Sequence, residues 1–263
     1  MLRSIASRSW PEGAFPRRLP PLGFWRHDMP VGAQMALAVA LATACVAISV
    51  IALPLASFDA AQRATTFYHE ASHATVSYLF NGDWLPIHLH GEGGGHAMVL
   101  PMGSASRIVI ALAGMIGPAI LAAALLGFGL TRVLTSTLLG AVGGSTAIVT
   151  FFLTTAPGSA VVMLYSLAAA MILLALLPPG GLIKSAGCLF LGAWLTWGVF
   201  NGISYADVEW IDPQQTQPSD AKIVALELGY GDLGDVPDMI KLLTGCFYFL
   251  SAFLTLAWWM RHR

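Results

Sequence analysis

Ala64-Thr65-Thr66-Phe67-Tyr68-His69-Glu70-Ala71-Ser72-His73-Ala74-Thr75-Val76-Ser77-Tyr78-Leu79-Phe80 places three ionisable groups inside an otherwise uncharged, helix-forming run. Histidines four residues apart lie one above the other on a helix face. His69 and His73 can therefore offer two imidazole nitrogens to one Zn²⁺, and Glu70 can hold and deprotonate a water on that metal. Ionisable residues within a membrane segment are costly and usually functional. The plainer alternative is a histidine pair hydrogen-bonded to neighbouring helices.

Outside this segment the chain is written for lipid. Of its 263 residues, 56% are hydrophobic and only 10% charged. Soluble domains carry about 25% charged residues, so so few charges cannot cover a globular surface in water. A net charge of −1 predicts neither nucleic acid nor a polyanion as partner. Cys45, Cys188 and Cys246 are far apart in apolar runs and read as small buried hydrophobes rather than a disulfide or a thiolate metal site.

Residues 1–28, the basic tail, hold Arg3, Arg8, Arg17, Arg18 and Arg26 against Glu12 and the terminal Asp28, together with four prolines. They read as a basic, disordered cytoplasmic tail obeying the positive-inside rule, or as an organellar transit peptide. Residues 29–263 read as one transmembrane domain. Its first span runs from Met29 to Phe58, and the second is the motif helix, from about Ala64 to Phe80, stopped by Asn81-Gly82. A third runs from Ile108 to Thr131. The charge-free stretch Val133–Ile183 is long enough for two helices of roughly 20 residues each, divided at Ala156-Pro157-Gly158. A sixth follows Lys184 to about Phe200, and a seventh runs from about Leu242 to Met260. The expected fold is an all-α polytopic membrane protein of about six to seven transmembrane helices, with a small β-hairpin after the H-E-x-x-H helix.

That hairpin is read in residues 83–103, where two short β-prone runs flank Gly91-Glu-Gly-Gly-Gly95. His88 and His90 alternate along a strand and share one face. With His96 they read as interfacial polar residues, or alternatively as a substrate-clamping strand edge or a second metal contact. Glu92 reads as solvated. Residues 201–238 form an acidic loop with a short helical stretch from Asp220 to Leu228. By parity of seven spans this loop lies on the hairpin's side of the membrane. The basic tail places that side in the cytoplasm, whereas Arg261 and Arg263 argue for the reverse orientation.

Two imidazoles do not complete a catalytic zinc site, which usually has three protein ligands and one open position. The acidic loop offers Asp207, Asp212 and Asp220 as a carboxylate ligand. Asp220 is favoured because it opens a helical stretch, and Asp212, in Ile211-Asp-Pro213, is next. Either Ser219 or Asp220 could instead cap that helix. Asp232, Asp235 and Asp238 read as a solvated loop.

The pattern resembles the site-2 protease class of intramembrane zinc metallopeptidases, in its compact bacterial branch. The resemblance rests on His69-Glu-Ala-Ser-His73-Ala74, the hairpin Asp83–Leu100, Ala113-Gly-Met-Ile-Gly-Pro118 and Ser219-Asp220-Ala221. Neither Leu-Asp-Gly nor Asn-Pro-Asp-Gly occurs, and the glycine-proline motif lacks the asparagine that often follows it. The resemblance implies Zn²⁺ held by His69, His73 and Asp220, with Glu70 as catalytic base. It also implies membrane-spanning or membrane-adjacent peptide substrates, and a place in a bacterial cytoplasmic membrane. A non-proteolytic membrane metal-binding protein or transporter using the same histidines is the competing reading. The uninterrupted apolar sequence of Val133–Ile183 counts against a transport path, which would spread polar residues over several spans.

Overall fold

Pro54 opens a 28-residue helix, α1 (Pro54–Asn81), that carries the H-E-x-x-H motif through its middle. Proline is tolerated in a first helical turn because its missing N–H has no intrahelical partner there. Asp59 and Arg63 then pair at 2.8 Å one turn apart. These residues take α1 about three turns further toward the N-terminus than the sequence suggests, so Pro54–Phe58 belong to the motif helix and not to a first span.

A computed structural model describes residues 54–261, except 82, 85, 91–93, 98–102, 133, 178–180, 212–213 and 215–216, together with a few helical positions between 32 and 44. The basic tail, most of the expected first span, Cys45, Glu92 and Asp212 lie outside the described residues.

After α1 come strands β1 (Ile87–Leu89) and β2 (Gly95–Ala97), then helices α2 (Ser104–Thr131) and α3 (Thr135–Leu153). A two-residue strand β3 (Thr154–Thr155) precedes α4 (Gly158–Leu176) and α5 (Leu182–Asn201). A 3₁₀ turn (Ile203–Asp207), a short helix α6 (Asp220–Glu227) and a long α7 (Val236–Arg261) complete the chain. Among the described residues, α2, α3, α4, α5 with its 3₁₀ extension, and α7 are long and apolar enough to cross a membrane. The motif helix falls outside that set, because the charges and hydroxyls that make it chemically useful also lower its hydropathy. The charge-free stretch does divide into two helices of 19 residues each, with Pro157 as the N-cap of the second.

The core lies where α1 meets the other helices. Phe67, Tyr68, Ala64 and Ala74 of α1 pack with Ile87, Leu125, Leu164 and Leu195 from β1, α2, α4 and α5. The Tyr68 hydroxyl meets Thr146 Oγ1 of α3 at 3.0 Å, which satisfies two buried polar groups together. A second cluster seats α6 on α2, through Ala221, Val224 and Ala225 against Ala111 and Met115. Cys188 is buried and unpaired. Cys246 departs from expectation, since it faces outward on α7, where lipid takes the place of a protein core.

The hairpin is present and gains a partner. β1 pairs antiparallel with β2, with His88 opposite His96, and parallel with β3, with Ile87 opposite Thr154. The sheet order is β2-β1-β3. Because β3 covers one side of β1, β2 is left as a sheet edge. Ile87 and Leu89 turn into the core while His88 and His90 take the other face, the alternation that a pleated strand imposes.

Candidate metal centre

The middle of α1 projects His69, Glu70 and His73 toward α2, α6 and the hairpin. His69 Nε2 and His73 Nε2 lie 3.0 Å apart. Asp220 Oδ2 lies 2.8 Å from His69 Nε2 and 3.3 Å from His73 Nε2. His73 Nδ1 is 2.7 Å from the Ile110 carbonyl. Donating its Nδ1–H there fixes the ring's orientation and leaves Nε2 facing Asp220, the nitrogen through which it could ligate a metal.

Asp220 is delivered by a braced loop. Ser219 is the N-cap of α6 and accepts the Lys222 backbone N–H at 3.1 Å. Its own hydroxyl donates to the Val208 carbonyl, and its backbone N–H donates to the Glu209 carbonyl at 3.1 Å. Lys222 is buried, paired with Glu209 and bonded to the Gly231 carbonyl at 2.7 Å. Ser219 therefore takes the capping role, and the first residue of α6 is free to face the histidines. Asp207 is drawn elsewhere, to Lys241 on α7 at 2.5 Å. Asp238 lies in the first turn of α7, where an acid suits the helix dipole.

Burial alone would raise the Asp220 carboxyl. His73 and then His69, by charge and direct contact, outweigh that effect and hold it below the usual carboxylate range. Its Oδ2 is buried without a well-aligned donor. An anionic oxygen and two imidazole nitrogens thus converge on one point, and His69, His73 and Asp220 can each offer an atom within 4.8 Å of the others. Two nitrogens and a carboxylate are a donor set that suits Zn²⁺. A buried carboxylate oxygen with no aligned donor, facing two imidazole nitrogens, is an arrangement a bound cation would satisfy.

Glu70 stands beside this trio without joining it. Its buried carboxylate accepts the Ala97 backbone N–H of β2. A cavity of about 350 Å³ is lined by His69, Glu70, His73, His96, Arg107 and Asp220, with Gly95 and Ala97 along one wall. The free sheet edge therefore borders the chemistry.

A family model for the Peptidase M50B-like proteins matches residues 36–261. The chain belongs to this Peptidase M50B-like family. No curated protein and no solved structure matches it. For an M50B-like peptidase, the glycine-proline segment of α2 has a specific role here. A Cβ on Gly114 would overlap the His73 ring and stand 2.7 Å from His69 Nε2. One on Gly117 would overlap the Ser72 hydroxyl. Pro118 leaves the Gly114 carbonyl without its helical donor. The absent side chains let α2 press against the motif face of α1.

In sequence, Gly114, Gly117 and Pro118 suggest close packing or a bend beside the site, or ordinary small-residue helix packing, without saying which side chains they meet. Sequence reading missed the Ile110 carbonyl altogether, since a backbone acceptor leaves no mark in sequence. It also missed Tyr205, whose ring meets His69 edge to face at 5.8 Å between centroids. Gly114→Ala is expected to cut metal affinity and peptidase activity at least tenfold, the lower end for disturbing an outer-shell partner. Gly144→Ala, whose added Cβ meets nothing within 4 Å, should leave both unchanged. Metal titration of the two variants in detergent checks the contrast, and equal affinities would remove Gly114 from the site's architecture.

Proposed function

We propose that this protein is a zinc metalloendopeptidase that hydrolyses peptide bonds of membrane-spanning or membrane-adjacent substrates. The observation that carries this reading is the convergence of His69, His73 and Asp220, with Glu70 alongside, in a cavity bordered by an open strand edge. His69, His73 and Asp220 would hold the ion, three protein ligands being the usual number at a catalytic zinc. When bound, Zn²⁺ polarises the scissile carbonyl and lowers the pKa of water from roughly 15.7 to about 7.

The remaining work falls to the chain. Glu70 takes a proton from the attacking water and returns it to the leaving amine. Its hydrogen bond to Ala97 sets the carboxylate's direction. A substrate helix shields its peptide bonds with its own hydrogen bonds, so it must unwind before cleavage. Among the described residues no strand pairs with the outer side of β2, and an extended segment can add there as a further strand. Addition to that edge would lay the peptide past Glu70 and the two histidines. The basic residues 1–28 favour a cytoplasmic N-terminus, and the resemblance to the compact bacterial branch favours the membrane of a bacterial cell.

The test is metal removal from the full chain reconstituted in lipid vesicles with a model single-span substrate. Chelation is expected to abolish cleavage, and added Zn²⁺ to restore it at about one ion per chain in the trio. Bound zinc with no cleavage of any membrane substrate would favour the non-proteolytic reading instead.

A further inference from the structure

The hairpin carries a second concentration of imidazoles that the proposed peptidase chemistry does not use. His88 of β1 and His90, the residue just past its end, share one face, and His96 stands opposite His88 across the β1–β2 pair. His90 Nε2 and His96 Nδ1 are 3.1 Å apart. The His88 and His90 rings stack on His96 with centroids 4.9 and 5.1 Å away. Among the described residues, no carboxylate pairs with any of the three.

We propose that His88, His90 and His96 form a second divalent-metal site, for Zn²⁺ or a neighbouring transition ion, at the lip of the catalytic cavity. Two histidines at i and i+2 on a strand, with a third from the paired strand, make a three-imidazole set with one position left for water. Zn²⁺ accepts such a set, and imidazole also suits copper and nickel. The backbone is fixed before any ion arrives. The His90 N–H donates to the Gly94 carbonyl at 2.8 Å, β3 holds the other side of β1, and Ile87 and Leu89 anchor the strand in the core. The three rings are stacked and their nitrogens do not converge as those of His69, His73 and Asp220 do, so the half-buried His88 and the exposed His90 would have to turn about their side-chain bonds to meet one ion.

The place of the site gives it a consequence. His96 lines the cavity that holds His69, Glu70 and His73, and the next residue, Ala97, donates to Glu70. An ion bridging β1 and β2 would stiffen the edge along which a substrate is proposed to add. The metal site itself does not depend on the chain being a peptidase.

The experiment is zinc stoichiometry of the full chain in detergent, with Co²⁺ absorption as a second readout of imidazole ligation. The wild type is expected to bind about two ions. His88→Ala/His90→Ala should lose one of them while keeping the ion bound through Asp220. Asp220→Ala should lose the other and keep the hairpin ion. His90→Ala alone, at an exposed position just past the end of β1, should weaken the hairpin ion at least tenfold. Equal stoichiometry and equal Co²⁺ spectra in the wild type and His88→Ala/His90→Ala would overturn the proposal.

Discussion

Glu70→Gln is expected to keep zinc bound and to remove peptide hydrolysis. Glutamine has the volume of glutamate, and its carbonyl oxygen can still accept the Ala97 N–H that orients the native carboxylate. It cannot take a proton from water near neutral pH. Positioned general acid–base groups contribute about 10² to 10⁴ in rate. A residue that serves first as base and then as acid belongs at the upper end, so the turnover should fall by about 10³-fold or more. The convergence of His69, His73 and Asp220 does not include Glu70, which is why zinc content should stay at the wild-type level. Elemental analysis and single-turnover cleavage on the same preparation separate the two effects. Cleavage within tenfold of wild type would sink the assignment of Glu70 as base.

Much of this architecture is legible because membrane insertion imposes simple rules on sequence. A span needs a long run without charge, and α2 through α5 obey that closely. Ala156-Pro157-Gly158 breaks α3 from α4 because proline cannot continue a helix that precedes it. The motif helix is legible in chemistry but not in extent. Asp59 and Arg63 suggest a loop to a hydropathy reading, yet one turn apart on a helix they neutralise each other. The start of α7 at Val236, ahead of Leu242, has the same cause. Lys241 finds Asp207, so a charge near the end of a span is compensated instead of excluded.

What was hidden is what depends on tertiary contact. The two residues of β3 have no periodicity to detect, and they exist as a strand only because β1 lies beside them. Yet β3 decides that β2 is the open edge. Likewise Gly114 reads as one small residue among several in α2. Only the approach of α1 shows that a methyl group there would displace the His69 and His73 imidazoles. The distinction between Ser219 and Asp220 was open for the same reason. Both are good capping residues, and local sequence cannot say which side chain turns back to its own helix and which crosses to another.

That distinction yields the sharpest contrast on the zinc site. Asp220→Ala is expected to lower zinc affinity by more than about 100-fold, beyond the range seen for outer-shell partners, because it removes the proposed third ligand. It should abolish cleavage with it. Ser219→Ala removes a side chain one residue away and should leave zinc stoichiometry intact. It forfeits the N-cap bond to Lys222, a loss of about 1 kcal/mol in the stability of the short helix. If Asp220 were only another cap, the two variants would behave alike, each slightly destabilised and each still loaded with zinc. Asp220→Asn refines the comparison. It keeps the shape of the side chain and the polar contacts of α6 but removes the negative charge that now faces His69 and His73 at 2.8 and 3.3 Å. A neutral amide oxygen is a weak zinc donor, so Asp220→Asn should resemble Asp220→Ala in metal content and the wild type in thermal stability. Isothermal titration with Zn²⁺, run beside thermal unfolding in detergent, reads both quantities. Full zinc affinity in Asp220→Ala would transfer the third-ligand role to another acid of the 201–238 loop, with Asp212 the first to substitute.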